Sequence, residues 1–175
     1  LRAQMNPHFI FNCLNSINRF ILTNEADLAS DYLTRFSRLI RLVLDNSREE
    51  IIPLEKELAA LKLYLEMEAM RFKDKFFWQM IIEDDIDTSR WLIAPMTLQP
   101  YVENAIWHGL LPMENQKGIK TLDVIVKAQG EHGISISIDD NGVGRKAAEN
   151  VRDHSRKSHG MNLTAERLSL ITRLT

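Results

Sequence analysis

Ile136-Ser137-Ile138-Asp139-Asp140-Asn141-Gly142-Val143-Gly144 is the stretch on which the fold turns. Apolar and polar residues alternate through Ile138, as in a half-buried strand, and the alternation runs straight into an acidic turn. A carboxylate fixed at a strand end can accept a hydrogen bond from an exocyclic amine. The glycines let backbone approach a ligand where a Cβ would intrude. Taken alone, Asp-x-Gly-x-Gly is equally a structural turn with no ligand. A calcium loop fits less well, because the later spaced acidic ligands are missing.

Working outward, residues 121–127 and 134–138 alternate in the same way, and 128–133 between them reads as a hairpin loop. A further β-rich run covers 76–82. Residues 96–109 are too long and continuous for a strand and close on Gly109, so they read as a helix. Residues 161–173 also fit a helix. Strands alternating with helices argue for an α/β sandwich with one helical layer.

The first part of the chain differs in composition. All seven glycines lie between 109 and 160, and the first 108 residues have none. Tight turns with positive φ want glycine, so that stretch reads as long helices. In residues 1–22, Ile10, Leu14, Ile17 and Ile21 form one apolar row, with Met5, Phe9, Cys13 and Phe20 beside it. A polar stripe of Gln4, His8, Asn12, Asn15 and Arg19 sets His8 one turn from Asn12. Asn6-Pro7 suits a helix start, and Pro7 suits equally a kink in a helix begun earlier. A second helix is expected over 25–46, with Leu28, Tyr32, Phe36, Leu39 and Val43 inward. A third starts near Pro53, carries Leu54, Leu58, Leu61 and Leu65, and reaches Arg71-Phe72.

Composition excludes several classes. The 175 residues carry 22 Lys+Arg against 24 Asp+Glu, a net charge of −2, which gives no case for nucleic-acid binding. The single Cys13 cannot close an internal disulfide, so a reducing compartment is expected. No stretch supplies the roughly 18 apolar residues of a membrane span, and no signal peptide is visible.

Two more segments bear on chemistry. Gln99-Pro100-Tyr101-Val102-Glu103-Asn104-Ala105-Ile106-Trp107-His108-Gly109 puts acid, amide and imidazole along one helix, and Asn and Glu oxygens suit Mg²⁺. A solvated helix face explains the same residues. Ser158-His159-Gly160-Met161-Asn162-Leu163 is a glycine-bearing helix start, of the kind that favours phosphate.

In that order the three segments resemble the nucleotide-binding motifs of the GHKL (Bergerat) ATPase fold. The opening block, Gln4-Met5-Asn6-Pro7-His8-Phe9-Ile10-Phe11-Asn12-Cys13-Leu14-Asn15, is similar to the phosphoacceptor block of the LytS/YehU-like sensor histidine kinase family. Leu54-Glu55-Lys56-Glu57-Leu58, Tyr64-Leu65 and Arg71-Phe72 resemble that family's linking helix, so the likeness covers nearly the whole chain.

The resemblance implies an α+β chain. Residues 1–74 would be a helical dimerisation and phosphoacceptor region, and 75–175 a GHKL-type ATP-binding domain lacking its C-terminal hairpin. It implies a two-component kinase that phosphorylates His8 from Mg-ATP and passes the phosphoryl group to an aspartate of a response regulator. His8 would be the acceptor, Asn12 would orient phosphate or water, and Glu103 would act as base or metal-shell group. Asn104 would hold Mg²⁺, and Asp140 would accept from the adenine amino group. Gly142, Gly144 and Gly160 would close backbone around nucleotide, with His108 lining the pocket. A homodimer is implied, with no nucleic-acid partner. The chain would be the cytoplasmic portion of an inner-membrane-anchored bacterial protein, its anchor upstream. The alternative is a nucleotide-binding or protein-interaction module without transfer activity.

Imidazole is a usable nucleophile near neutral pH. A loose phosphoryl-transfer transition state asks the protein mainly for positioning and charge stabilisation. The chain departs from the pattern at Phe9, where many histidine kinases have an acid, and at Ser158 and Leu163 in the last motif. The fold change is expected near 73–76, well before the first glycine.

Overall fold

The computed structural model describes residues 7–73, 75–113, 118–130, 133–143 and 172–173. Helix α1 is described over Pro7–Leu22. It buries Phe9, Cys13, Ser16 and Phe20, while Leu14 and Ile21 stay exposed. The expected Ile10 row is thus the outer one. The two rows have nearly the same spacing, and the aromatic row prevails because it buries more area. Phe9 stacks on Tyr64 at 5.1 Å and Phe20 on Tyr32 at 5.7 Å.

Asn24, with φ of 59°, turns the chain into α2 (Ala26–Asn46); asparagine tolerates that left-handed conformation. Its inner face is Ala29, Tyr32, Leu39, Val43 and Asn46, with Phe36 half-buried. Leu28 is exposed, against expectation. Ala29 faces inward instead, and its small side chain suits the narrow space beside the α1–α2 turn. Strand β1 (Ile52–Pro53) leads directly into α3 (Leu54–Arg71). The expected leucines of α3 are buried, and so are Ala60, Leu63, Tyr64, Met67 and Ala69. Glu55, Lys56, Ala59 and Lys62 keep one side of its first half exposed, while from Leu63 to Ala69 nearly every residue is buried, as in a core helix. Accordingly α3 packs on α2 on one side and on the β elements on the other.

The main sheet has the order β2-β4-β5. Strand β2 (Phe77–Ile82) runs parallel to β4 (Thr121–Gln129), with Phe77 opposite Thr121 and Ile82 opposite Val126. Strand β5 (Gly133–Asp140) returns antiparallel, and its pairing of Gln129 with Gly133 makes the hairpin loop shorter than the 128–133 expected. Leu122, Val124 and Val126 are fully buried on one face, the period-2 pattern of a half-buried strand.

A second, smaller sheet was not foreseen. It pairs β1 with β3 (Trp91–Ile93) and β3 with β6 (Thr172–Arg173), both antiparallel. The helix expected over 161–173 is therefore corrected at its end, where the ladder with β3 takes up the backbone groups of 172–173; residues 161–171 lie outside those described.

The helix expected over 96–109 begins instead with α4 (Gln99–Asn104) and continues as a π-helical segment, Ala105–Leu110. Met96 has φ of 61°, which a helix interior does not allow, and Pro100 suits the first turn. The Leu111 N–H bonds the Ile106 carbonyl at 2.9 Å, the wider spacing of a π turn, a geometry frequent at functional sites. One hydrophobic cluster runs from Phe9 to Val126. Among the described residues, no helix is long and apolar enough to cross a membrane.

Candidate functional site

His8 stands exposed in the first turn of α1, and Asn12 brings its amide nitrogen to 3.1 Å from His8 Nδ1. The i,i+4 spacing of a helix makes this contact. On its other flank, the His8 ring lies 5.9 Å from the Trp107 ring, centre to centre, tilted by 60°. Trp107 belongs to the π segment, so the acceptor candidate touches the helix that carries Glu103, Asn104 and His108.

Trp107 is held in turn by α3. The Arg71 guanidinium sits 4.5 Å from the Trp107 ring centre and 4.4 Å from that of Phe72. Phe72 itself meets Trp107 edge-on at 5.6 Å. Arg71 Nη1 donates to Glu68 Oε1 at 2.9 Å. Glu68 is 0% exposed, and its Oε2 has no partner among the described residues. Burial pushes the Glu68 carboxyl from 4.5 up to about 7; Arg71 opposes this, and Glu103 adds to it. Burial likewise pushes the Tyr64 hydroxyl up, although the Trp107 indole donates to it. Sequence reasoning missed this Glu68–Arg71–Trp107 series. Two charged residues three apart on an apolar helix were the available signal.

A cleft of about 250 Å³ opens beside Asn12, lined by Asn15, Ser16, Arg19, Arg71 and Phe72. Within it, Arg19 Nη2 donates to the Arg71 carbonyl at 3.0 Å, tying α1 to the end of α3.

On α4, Glu103 Oε1 accepts from Gln99 Nε2 at 2.8 Å. Asn104 is half-buried and His108 exposed. The entrance to α4 is set from α3, because the Glu57 carboxylate accepts both the Met96 and the Leu98 N–H at 2.9 Å.

Two residues beyond Trp107, Gly109 meets the acidic turn. A Cβ at Gly109 would lie 2.5 Å from Asp140 Oδ1, and one at Gly142 would run into the Gly109 backbone. The Val143 N–H donates to the Gly109 carbonyl at 3.1 Å, and Asp140 Oδ1 accepts from the Gly142 N–H at 2.9 Å. Asn141 pins the turn to the start of β4: its Oδ1 accepts from the Thr121 N–H at 2.8 Å, and its Nδ2 donates to the Ile119 carbonyl at 2.7 Å. Asp140 is exposed, and its Oδ2 has no hydrogen bond among the described residues.

The structure thus joins the Asn-bearing helix to the Asp-Asn-Gly turn through Gly109, and to His8 through Trp107. Gly144, Gly160 and the rest of the last glycine motif lie outside the described residues. Among the described residues, no group of three or more His, Cys, Asp or Glu side chains could hold a metal.

A family model described as histidine kinase matches residues 1–76. The chain is 38% identical over 147 residues to "Sensor protein LytS" of Oceanobacillus iheyensis, covering 82% of this chain and 23% of that protein. It is 35% identical over 144 residues to "Sensor histidine kinase YpdA" of Escherichia coli, covering 82% and 24%. It is 33% identical over 144 residues to "Sensor histidine kinase/phosphatase LytS" of Staphylococcus aureus, with the same coverage. The chain therefore spans about a quarter of the length of these relatives. The matched model takes in the His8 helix, and each of these alignments extends over most of the chain, so the chain belongs to the LytS-like sensor histidine kinase family.

Proposed function

We propose that this chain is the kinase core of a two-component sensor, in which His8 takes the γ-phosphoryl group of Mg-ATP and passes it to an aspartate of a response regulator. Residues 1–74 act as the dimerisation and phosphoacceptor region, and 75–175 as a GHKL-type ATP-binding domain. The observation that carries this reading is the contact of His8 with Trp107, on the helix whose Gly109 packs against Asp140.

The residues suit a Mg-nucleotide. Gly109 keeps a side chain out of the space beside Asp140, whose Oδ2 can accept from an adenine amino group, and Gly142 lets the turn close on the Gly109 backbone. The Asn104 amide oxygen is the kind of single protein ligand that Mg²⁺ takes. Bound Mg²⁺ supplies charge neutralisation at the transferred phosphoryl group. Within the chain, Asn104 holds the metal with Glu103 beside it, Asp140 selects the base, and His108 lines the pocket. Gly144 and Gly160 let the backbone close.

Leu14, Ile21, Leu28, Leu33 and Leu44 leave apolar side chains exposed on α1 and α2, which supports a homodimer through these helices. This chain corresponds to about a quarter of each of these sensor proteins, and we read it as the cytoplasmic portion of a membrane-anchored bacterial sensor.

Incubation with γ-labelled ATP should yield acid-labile, base-stable label that disappears in His8→Gln. Label that survives in that variant overturns the acceptor assignment. A second reading, a nucleotide-binding or interaction module without transfer, is favoured by Phe9. It follows His8 directly and is apolar and buried, so no carboxylate stands next in the chain to take an imidazole proton. Calorimetry with a non-hydrolysable ATP analogue separates the cases, since binding without transfer supports this second reading.

A further inference from the structure

We infer that Arg71 is a positioning residue for the acceptor: its guanidinium, anchored on the buried Glu68, sets the Trp107 ring against His8. This deepens the kinase reading and rests on it.

Glu68 and Arg71 stand three residues apart in the last turn of α3, so they share one helix face. Their side chains are 0% and 10% exposed and meet at 2.9 Å. A buried ion pair is costly to desolvate and is weak evidence for stability. What this one supplies is orientation. With Nη1 fixed by Glu68, the flat guanidinium lies against two rings at once, 4.4 Å from the centre of Phe72 and 4.5 Å from that of Trp107. Both contacts draw the cation to the electron-rich ring. Phe72 meets Trp107 edge-on, and the Trp107 indole donates to the Tyr64 hydroxyl. Three residues of α3 and its end therefore fix one ring of the π segment.

That ring flanks His8 at 5.9 Å. Tyr64 also stacks on Phe9, the next residue of α1, at 5.1 Å. Three turns further along α1, Arg19 donates to the Arg71 carbonyl at 3.0 Å. The acceptor helix and the Trp107 ring are thus gripped from the same end of α3. Trp107 follows Asn104 by three residues, about one helical turn, so the place of its ring sets how far the imidazole stands from the Asn104 helix. A lysine at 71 would keep the charge, but an ammonium has no planar fork to bond Glu68 and lie flat on two rings together. Misplacement of reacting groups by about 1 Å can cost a hundredfold in rate. Asp140 meets the other end of the segment, at Gly109, so nucleotide affinity should not follow Arg71.

The experiment labels the whole chain with 5-fluorotryptophan, and fluorine NMR reads Trp78, Trp91 and Trp107, the last assigned from Trp107→Phe. Wild type is compared with Arg71→Lys and with the double variant Glu68→Leu, Arg71→Met. The double variant removes both buried charges together, so neither is left unpaired and the fold should survive. In both, the Trp107 signal should shift or broaden while those of Trp78 and Trp91 stay. Labelling of His8 at saturating γ-labelled ATP should slow roughly tenfold or more, with KM for ATP nearly unchanged. An unmoved Trp107 signal, a wild-type rate in either variant, or a slower rate matched by a higher KM overturns the inference. A wild type that takes no label overturns the kinase reading instead, and the fluorine signals still decide whether Arg71 sets the Trp107 ring.

Discussion

Glu57 Oε2 accepts the Met96 backbone N–H at 2.9 Å, across 39 residues of chain. The same carboxylate takes the Leu98 N–H through Oε1, so one buried side chain of α3 fixes the approach to α4 and holds Met96 in its left-handed conformation. The Asn104 helix is therefore oriented from the helical part of the chain.

Glu57→Gln replaces one acceptor oxygen by a donor that faces a backbone N–H. Because Glu57 is only 3% exposed, the variant should lose about 1–3 kcal/mol in urea unfolding. A loss well under that range would show that water replaces the contact at little cost.

Gly109→Ala and Gly142→Ala should differ. The new methyl at Gly109 meets the end of the Asp140 side chain, which can swing away, and alanine favours a helix over glycine. This variant should stay folded and lose affinity for an ATP analogue. The methyl at Gly142 meets Gly109 backbone and should cost about 1–3 kcal/mol of stability as well. Calorimetry paired with thermal unfolding checks the contrast, and identical behaviour of the two variants would contradict it.

Asp140→Asn keeps the shape of the turn and removes the charge. Loss of a charge-assisted hydrogen bond to an adenine amino group should weaken nucleotide binding by about 1.5–3 kcal/mol, read as the change in calorimetric Kd. Unchanged affinity would place Asp140 outside the pocket.

Glu68 makes stability depend on pH. Its carboxyl ionises near 4.5 when unfolded and near 7 in the fold, so between those values the folded state binds the extra proton. Stability should be greatest below about pH 4.5 as far as this group is concerned, and should fall as pH rises to about 7 by on the order of 3 kcal/mol. Glu68→Gln should flatten that slope in denaturant titrations across the range. A slope that persists belongs to another group.

Much of this molecule was legible in the chain. Alternation in 121–127 and 134–138 located β4 and β5. Those signals are local, because a strand face repeats every two residues and a helix face every 3.6. The two apolar rows of α1 had nearly the same spacing, and only the aromatic partners Tyr64 and Tyr32 distinguish them. The two-residue strands β1 and β6 carry too few residues for any period to show.

The site divides along the same line. The sequence by itself determined the chemistry present: an imidazole one turn from an amide, an acidic glycine turn and an Asn-bearing helix. Tertiary structure alone decided their arrangement, with Trp107 against His8, Arg71 over Trp107, the buried Glu68 behind it, and Gly109 closed on Asp140 and Gly142. Periodicity reports which face of an element is apolar. It does not report which distant residue will pair a buried charge, because that depends on burial, and burial exists only once the elements have packed.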